Sequence, residues 1–110
     1  MQSNDPLLAF CNCADPASAK NIAHWLVENR LAACVNIVPN VESVYRWQGE
    51  VTIDNEVTLL IKTNSKLLQT IKAELPQQHS YELPEIIAVS IADGLPEYLA
   101  WLDQNLAPTT

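Results

Sequence analysis

Positive charge is scarce in this chain: six Lys and Arg stand against thirteen Asp and Glu, a net charge of −7 over 110 residues. Nucleic-acid binding needs clustered basic side chains to displace counterions from phosphates, and six scattered cations do not supply them. The same shortage excludes an anionic membrane surface as the natural partner. Glycine is scarcer still, at Gly49 and Gly94 alone, so there is no glycine-rich phosphate cradle. Neither Gly-x-Ser-x-Gly nor His-Glu-x-x-His occurs, and the chain is expected not to be an enzyme. No apolar run approaches the roughly 18 residues of a membrane span, and the opening Met1–Phe10 segment lacks the basic stretch and apolar core of a secretion signal. The three cysteines, Cys11, Cys13 and Cys34, cannot all pair within one chain. They point to a reduced, cytoplasmic setting.

What is present is ordinary core material. Hydrophobic residues make up 48% and charged residues 17% of the chain, enough for one domain spanning 1–110 with no metal or disulfide needed for folding. Leu7–Asn12, between Asp5-Pro6 and Asp15-Pro16, reads as a buried strand. Asp15 is placed to cap a helix with Pro16 at its first position. Ala19, Ile22, Ala23, Leu26 and Val27 then form one apolar stripe, ending near Arg30. A second strand runs from about Ala33 with a bulge at Pro39-Asn40, and Gly49 marks a hairpin turn. The return arm continues to Lys62. Asn64-Ser65 caps a second helix with stripe Leu67, Leu68, Ile71 and Leu75, which Pro76 stops. Ile86–Ile91 is the last core strand, and a short helix from Pro96 carries Tyr98, Leu99, Trp101 and Leu102. The tail from Ala107 to Thr110 is expected to fray.

The element order is β-α-β-β-α-β plus a terminal helix, the α+β, ferredoxin-like βαββαβ pattern, with an antiparallel sheet, an extended β-hairpin and an extra C-terminal helix. Right-handed crossovers place both main helices on one sheet face. Each hairpin arm holds about fourteen residues, or about 46 Å of strand at ~3.3 Å per residue, against a radius of gyration of ~13 Å for a 100-residue domain. The hairpin must protrude, leaving Val41, Tyr45, Trp47, Val51 and Ile53 exposed in a lone subunit. A neighbouring copy is expected to cover them; a hairpin curled onto its own domain is the competing reading.

Cys11 and Cys13 lie two apart on a strand and face the same way, so both sulfurs can converge on one soft ion. Burial of free thiols in the core is the alternative. His79 lies in a polar loop, as ligand or as solvated side chain. His24 belongs to a polar helix face near Glu28, and Cys34 is expected in the core. Glu56, Glu82 and Glu85 are candidate cation ligands or solvated charges. Tyr45-Arg46-Trp47 suits a pocket rim or an interface. Two activities found on this element order are disfavoured. The strand Val57–Lys62 has no aromatic on which RNA bases stack, and the loop Asn12–Asp15 lacks the arginine of an acylphosphatase.

Leu31–Pro39, Ser43–Gly49, Glu56–Thr63, Tyr81–Ile87 and Tyr98–Leu102 closely resemble the CutA family, the divalent-cation-tolerance proteins, in the same order from about Leu7 to Leu102. The resemblance implies a stable cytoplasmic homotrimer of ferredoxin-like subunits, similar in assembly to the PII signalling proteins. It also implies a response to divalent metal, copper foremost. The family's copper site, a cysteine after strand one and a histidine pair, corresponds to Cys11 and to Gln78-His79. One imidazole is therefore replaced, and Cys13 is the candidate substitute. The second function implied is a PII-like signalling trimer that binds a small molecule or an unidentified protein partner in clefts between subunits. Glu56, Lys62, Tyr81 and Glu85 are the cleft candidates.

Overall fold

The computed structural model describes residues 4–108; the expected fraying at Thr109-Thr110 lies outside the described residues. Strand β1 (Pro6–Cys13) alternates strictly, burying Leu7, Ala9, Cys11 and Cys13 on one face. Asp15 then caps helix α1 (Pro16–Glu28): its carboxylate accepts from the Ser18 amide at 2.8 Å. This contact holds the Asp15 carboxyl below its ordinary value. Because the folded value is the lower one, the contact stabilises at neutral pH and is lost as pH falls through it. Ala19, Ile22, Ala23 and Leu26 are buried as the stripe requires, whereas Val27 lies at the margin and is exposed. The helix ends two residues before the expected Arg30, which adopts the left-handed conformation at φ 57°. Such positions favour glycine. Here the Arg30 guanidinium donates to the carbonyls of Gln104 at 2.7 Å and Leu106 at 3.3 Å, tying the turn to the C-terminal segment.

Strands β2 (Cys34–Trp47) and β3 (Glu50–Asn64) form the hairpin. Gln48 and Gly49 both take positive φ, 50° and 84°, the turn that matches the twist of a two-residue hairpin. The register shifts between Val38 and Val41, so the bulge falls at Pro39-Asn40 as expected. Asn64 accepts from the Leu67 amide at 2.8 Å and starts helix α2 (Ser65–Glu74), which passes into a 3₁₀ turn at Leu75–Gln77. Asn64 is buried, so Asn64→Ala leaves an amide donor without its partner. The expected loss is about 1–2 kcal/mol, read from the urea midpoint at unchanged slope. Strand β4 is Ile87–Ser90, shorter by one residue at each end than expected, and helix α3 is Pro96–Gln104.

The four strands form one antiparallel sheet in the order β2-β3-β1-β4. Leu59, Ile61 and Thr63 of β3 share the buried face of β1 and join Leu26, Leu67, Ile71, Leu75 and Leu102 in the core. Among the described residues no helix packs on the opposite face, although Tyr98 of α3 accepts from Lys62 there; on it Ile87 and Val89 are exposed. The longest dimension is 44 Å against 25 and 23 Å across, because the hairpin projects from the body.

Two expectations need correction. Of the five ribbon residues expected to be exposed, Tyr45, Trp47, Val51 and Ile53 are exposed, but they do not share one face. Pairing of Trp47 with Glu50 and Tyr45 with Thr52 puts the two aromatics on one face. Pairing of Val44 with Ile53 and Arg46 with Val51 puts the aliphatics on the other. The cause is the two-residue turn, which sets cross-strand partners and hence faces. Val41, beside the bulge, is half-buried rather than exposed. Cys34 is likewise half-buried rather than core: its partner Lys62 places it on the sheet face opposite the core.

Candidate metal centre

Cys11 and Cys13 are the last inward-facing residues of β1, paired with Leu59 and Val57. Both are almost completely inaccessible to solvent. His79 arrives from 66 residues further on, in the loop after α2, and the donor atoms of Cys11, Cys13 and His79 lie within 4.8 Å of one another. Two ligands about 2.3 Å from a shared ion span at most about 4.6 Å, so a small contraction converts this cluster into a coordination sphere. Cys34 belongs to another region and takes no part.

The imidazole is oriented by two backbone contacts. Its Nδ1 accepts from the Tyr81 amide at 3.0 Å, which assigns the proton to Nε2, and Nε2 donates to the Asn12 carbonyl at 2.7 Å. A ligand nitrogen must offer a lone pair. Ligation through Nδ1 gives up the Tyr81 amide but keeps the Nε2–H···O bond as the orienting contact that metal-bound histidines commonly retain. The thiols are coupled. The Cys11 thiol as donor pulls the Cys13 thiol below its ordinary value; Cys11 is pushed up, first by that same contact and then by burial. The first proton therefore leaves the pair more easily than the second. Two soft sulfurs with one imidazole fit a soft or borderline ion better than a hard one.

Beside this cluster lies a cavity of about 730 Å³ between the hairpin and the loop Ser80–Glu85. Of the four cleft candidates, Glu56, Tyr81 and Glu85 border it together. Lys62 does not; its Nζ donates to the Tyr98 hydroxyl at 3.0 Å near α3. The Tyr81 hydroxyl donates to Glu56 at 2.7 Å, and burial, followed by this contact, raises its pKa well beyond the usual phenol range. Asn12, Asp54 and Glu82 also line the cavity. Asn12 and Asp54 were not singled out as site residues from the sequence, although strand alternation puts Asp54 on the face of Glu56. His24 makes a surface contact with Glu28 at 3.8 Å, as its helix position implied.

The description "CutA1 divalent ion tolerance protein" matches residues 7–105. The divalent-cation tolerance protein CutA of Thermus thermophilus is 53% identical over 87 residues, covering 79% of this chain and 84% of the relative. The mouse protein CutA is 43% identical over 96 residues, 87% of this chain and 54% of the longer mouse protein. Among solved structures, the Thermus thermophilus Cut A1 superposes with a TM-score of 0.90 at 45% identity, covering 93% of this chain and 99% of that one. CutA1 from Oryza sativa superposes at 0.91 with 36% identity, covering 98% and 100%. Sequence and backbone thus agree over nearly the whole length, and the chain belongs to the CutA1 divalent ion tolerance family.

Proposed function

We propose that this chain acts in divalent-cation tolerance as a metal-binding protein and not as an enzyme, holding copper or a similarly soft ion at Cys11, Cys13 and His79. The observation that carries this reading is the convergence of two buried thiols and one oriented imidazole from distant parts of the chain. Copper is favoured over magnesium or calcium by donor softness. Three free thiols suit a reducing, cytoplasmic compartment. The assembly proposed is a homotrimer of ferredoxin-like subunits. Its support is the strand order, the sheet face opposite the core with Ile87 and Val89 exposed, and the exposed ribbon valines and isoleucine.

The test is an anaerobic competition titration of reduced protein against chromophoric chelators for Cu(I), Zn(II), Cd(II) and Mg(II). One soft ion per chain is expected, with Mg(II) not retained. Equal retention of Mg(II), or no withdrawal of Cu(I) or Cd(II) from the chelator, rejects the site. The signalling alternative, in its nucleotide-binding form, is disfavoured by the charge of the cavity, whose carboxylates repel phosphates.

A further inference from the structure

We propose that the cavity between the hairpin and the Ser80–Glu85 loop binds a small organic cation, a primary ammonium or guanidinium group on a short apolar chain. The site is separate from the metal cluster. Asn12 lines it, but the sulfurs of flanking Cys11 and Cys13 point to the other side of the sheet.

The central observation is Glu56. Only 7% of its surface is exposed, yet among the described residues no Lys, Arg or His forms an ion pair with it. Its carboxylate accepts instead from two neutral donors, the Tyr81 hydroxyl at 2.7 Å and the Asn12 amide at 3.4 Å. Neutral donors satisfy lone pairs without balancing charge, and buried charges are ordinarily paired. A carboxylate offers about four acceptor positions, so positions remain for a ligand N–H.

The rest of the lining repeats the preference. Asp54, Glu82 and Glu85 border the same space, and none of its lining residues is Lys, Arg or His. The rings of Tyr45, Trp47 and Tyr81 add faces that attract cations. Two of those rings are held in place by their hydroxyls, Tyr81 on Glu56 and Tyr45 on Asp54. A bare metal ion needs neither rings nor some 730 Å³ of space; volumes of about 300–1,000 Å³ are those of small-molecule sites. An amine with a few methylenes uses all three features: carboxylates for its charge, rings for its chain, and room for both.

The experiment is calorimetric titration of the native, metal-free protein in EDTA with spermidine, agmatine and putrescine, alongside 1,4-butanediol as the neutral analogue and glutarate as the anionic one. Saturable binding of at least one amine is expected, weakening as salt is raised, with no heat from the diol or the diacid. Glu56→Gln is expected to weaken the amine roughly tenfold or more, since a hydrogen bond to a charged group is lost. Should Glu56→Gln disturb the buried network, Trp47→Leu at the exposed end is expected to weaken it several-fold while melting at the native temperature. No amine binding at millimolar concentration, equal binding of the diol, or unchanged affinity in both variants overturns the proposal. A neighbouring copy's basic side chain already filling the cavity gives the first of these results. Because EDTA removes metal throughout, failure here leaves the metal reading intact.

Discussion

Val51→Asp combined with Ile53→Asp is expected to break the proposed trimer into single chains in light scattering, with an unchanged far-ultraviolet spectrum. Val44, Val51 and Ile53 share a ribbon face, and each is more than 60% exposed. They lie beyond the helices of their own subunit. Full burial of such a side chain is worth about 1.5–3 kcal/mol, so covering three per subunit around a closed ring is a large driving force. Two aspartates remove it and place unpaired charge where a neighbour must pack. The fold itself should tolerate the change, because the core lies under the helices. A native protein that already scatters as a single chain refutes the trimer directly.

Cys11→Ser and Cys13→Ser are each expected to lower soft-ion affinity by more than about 100-fold. Losing even an outer contact that orients a ligand costs about 10–100-fold, and here the thiolate itself disappears. Cys11→Ser also puts a hydroxyl into a site beside Leu59, at a cost of about 1–3 kcal/mol, and His79→Ala gives up the contacts to the Asn12 carbonyl and the Tyr81 amide, so the urea midpoint of each variant is measured beside its affinity. Wild-type affinity in any of the three removes that residue from the site. Affinity should rise with pH, since binding expels the thiol protons. The metal-free protein carries its own signature. Between the depressed Cys13 value and the ordinary thiol value of 9.0, the folded chain has released a proton that the unfolded chain retains, and stability rises with pH. Above 9.0 the unfolded thiols ionise while Cys11, pushed up in the fold, does not, and stability falls. The maximum should vanish in Cys13→Ser, as read by urea unfolding across that range.

The ribbon shows how a correct local reading can still miss a tertiary consequence. Alternation along each arm was legible, and so was the turn at Gly49. Which residues share a face across the arms depends on the pairing of Trp47 with Glu50, and a five-residue apolar set drawn from both arms joined two opposite faces. Lys62 lies away from the cavity for a related reason. It lies on the same face of β3 as Glu56, but six residues along the strand carry it about 20 Å away, to Tyr98.

Strands, caps, helix stripes and the bulge were written in the sequence because each depends on side chains a few positions apart. Asp15 reaches Ser18, and Asn64 reaches Leu67. The shared orientation of Cys11 and Cys13 follows from strand periodicity alone. The arrival of His79 beside them does not: it rests on the path of a loop after the 3₁₀ turn and on an imidazole bridging the Asn12 carbonyl and the Tyr81 amide. The burial of Glu56 among neutral donors was equally hidden, since the polarity of a carboxylate predicts exposure, and only the packing of Tyr81 and Asn12 around it removes the water. Local order is encoded by near neighbours; the chemistry of both sites arises where distant segments meet.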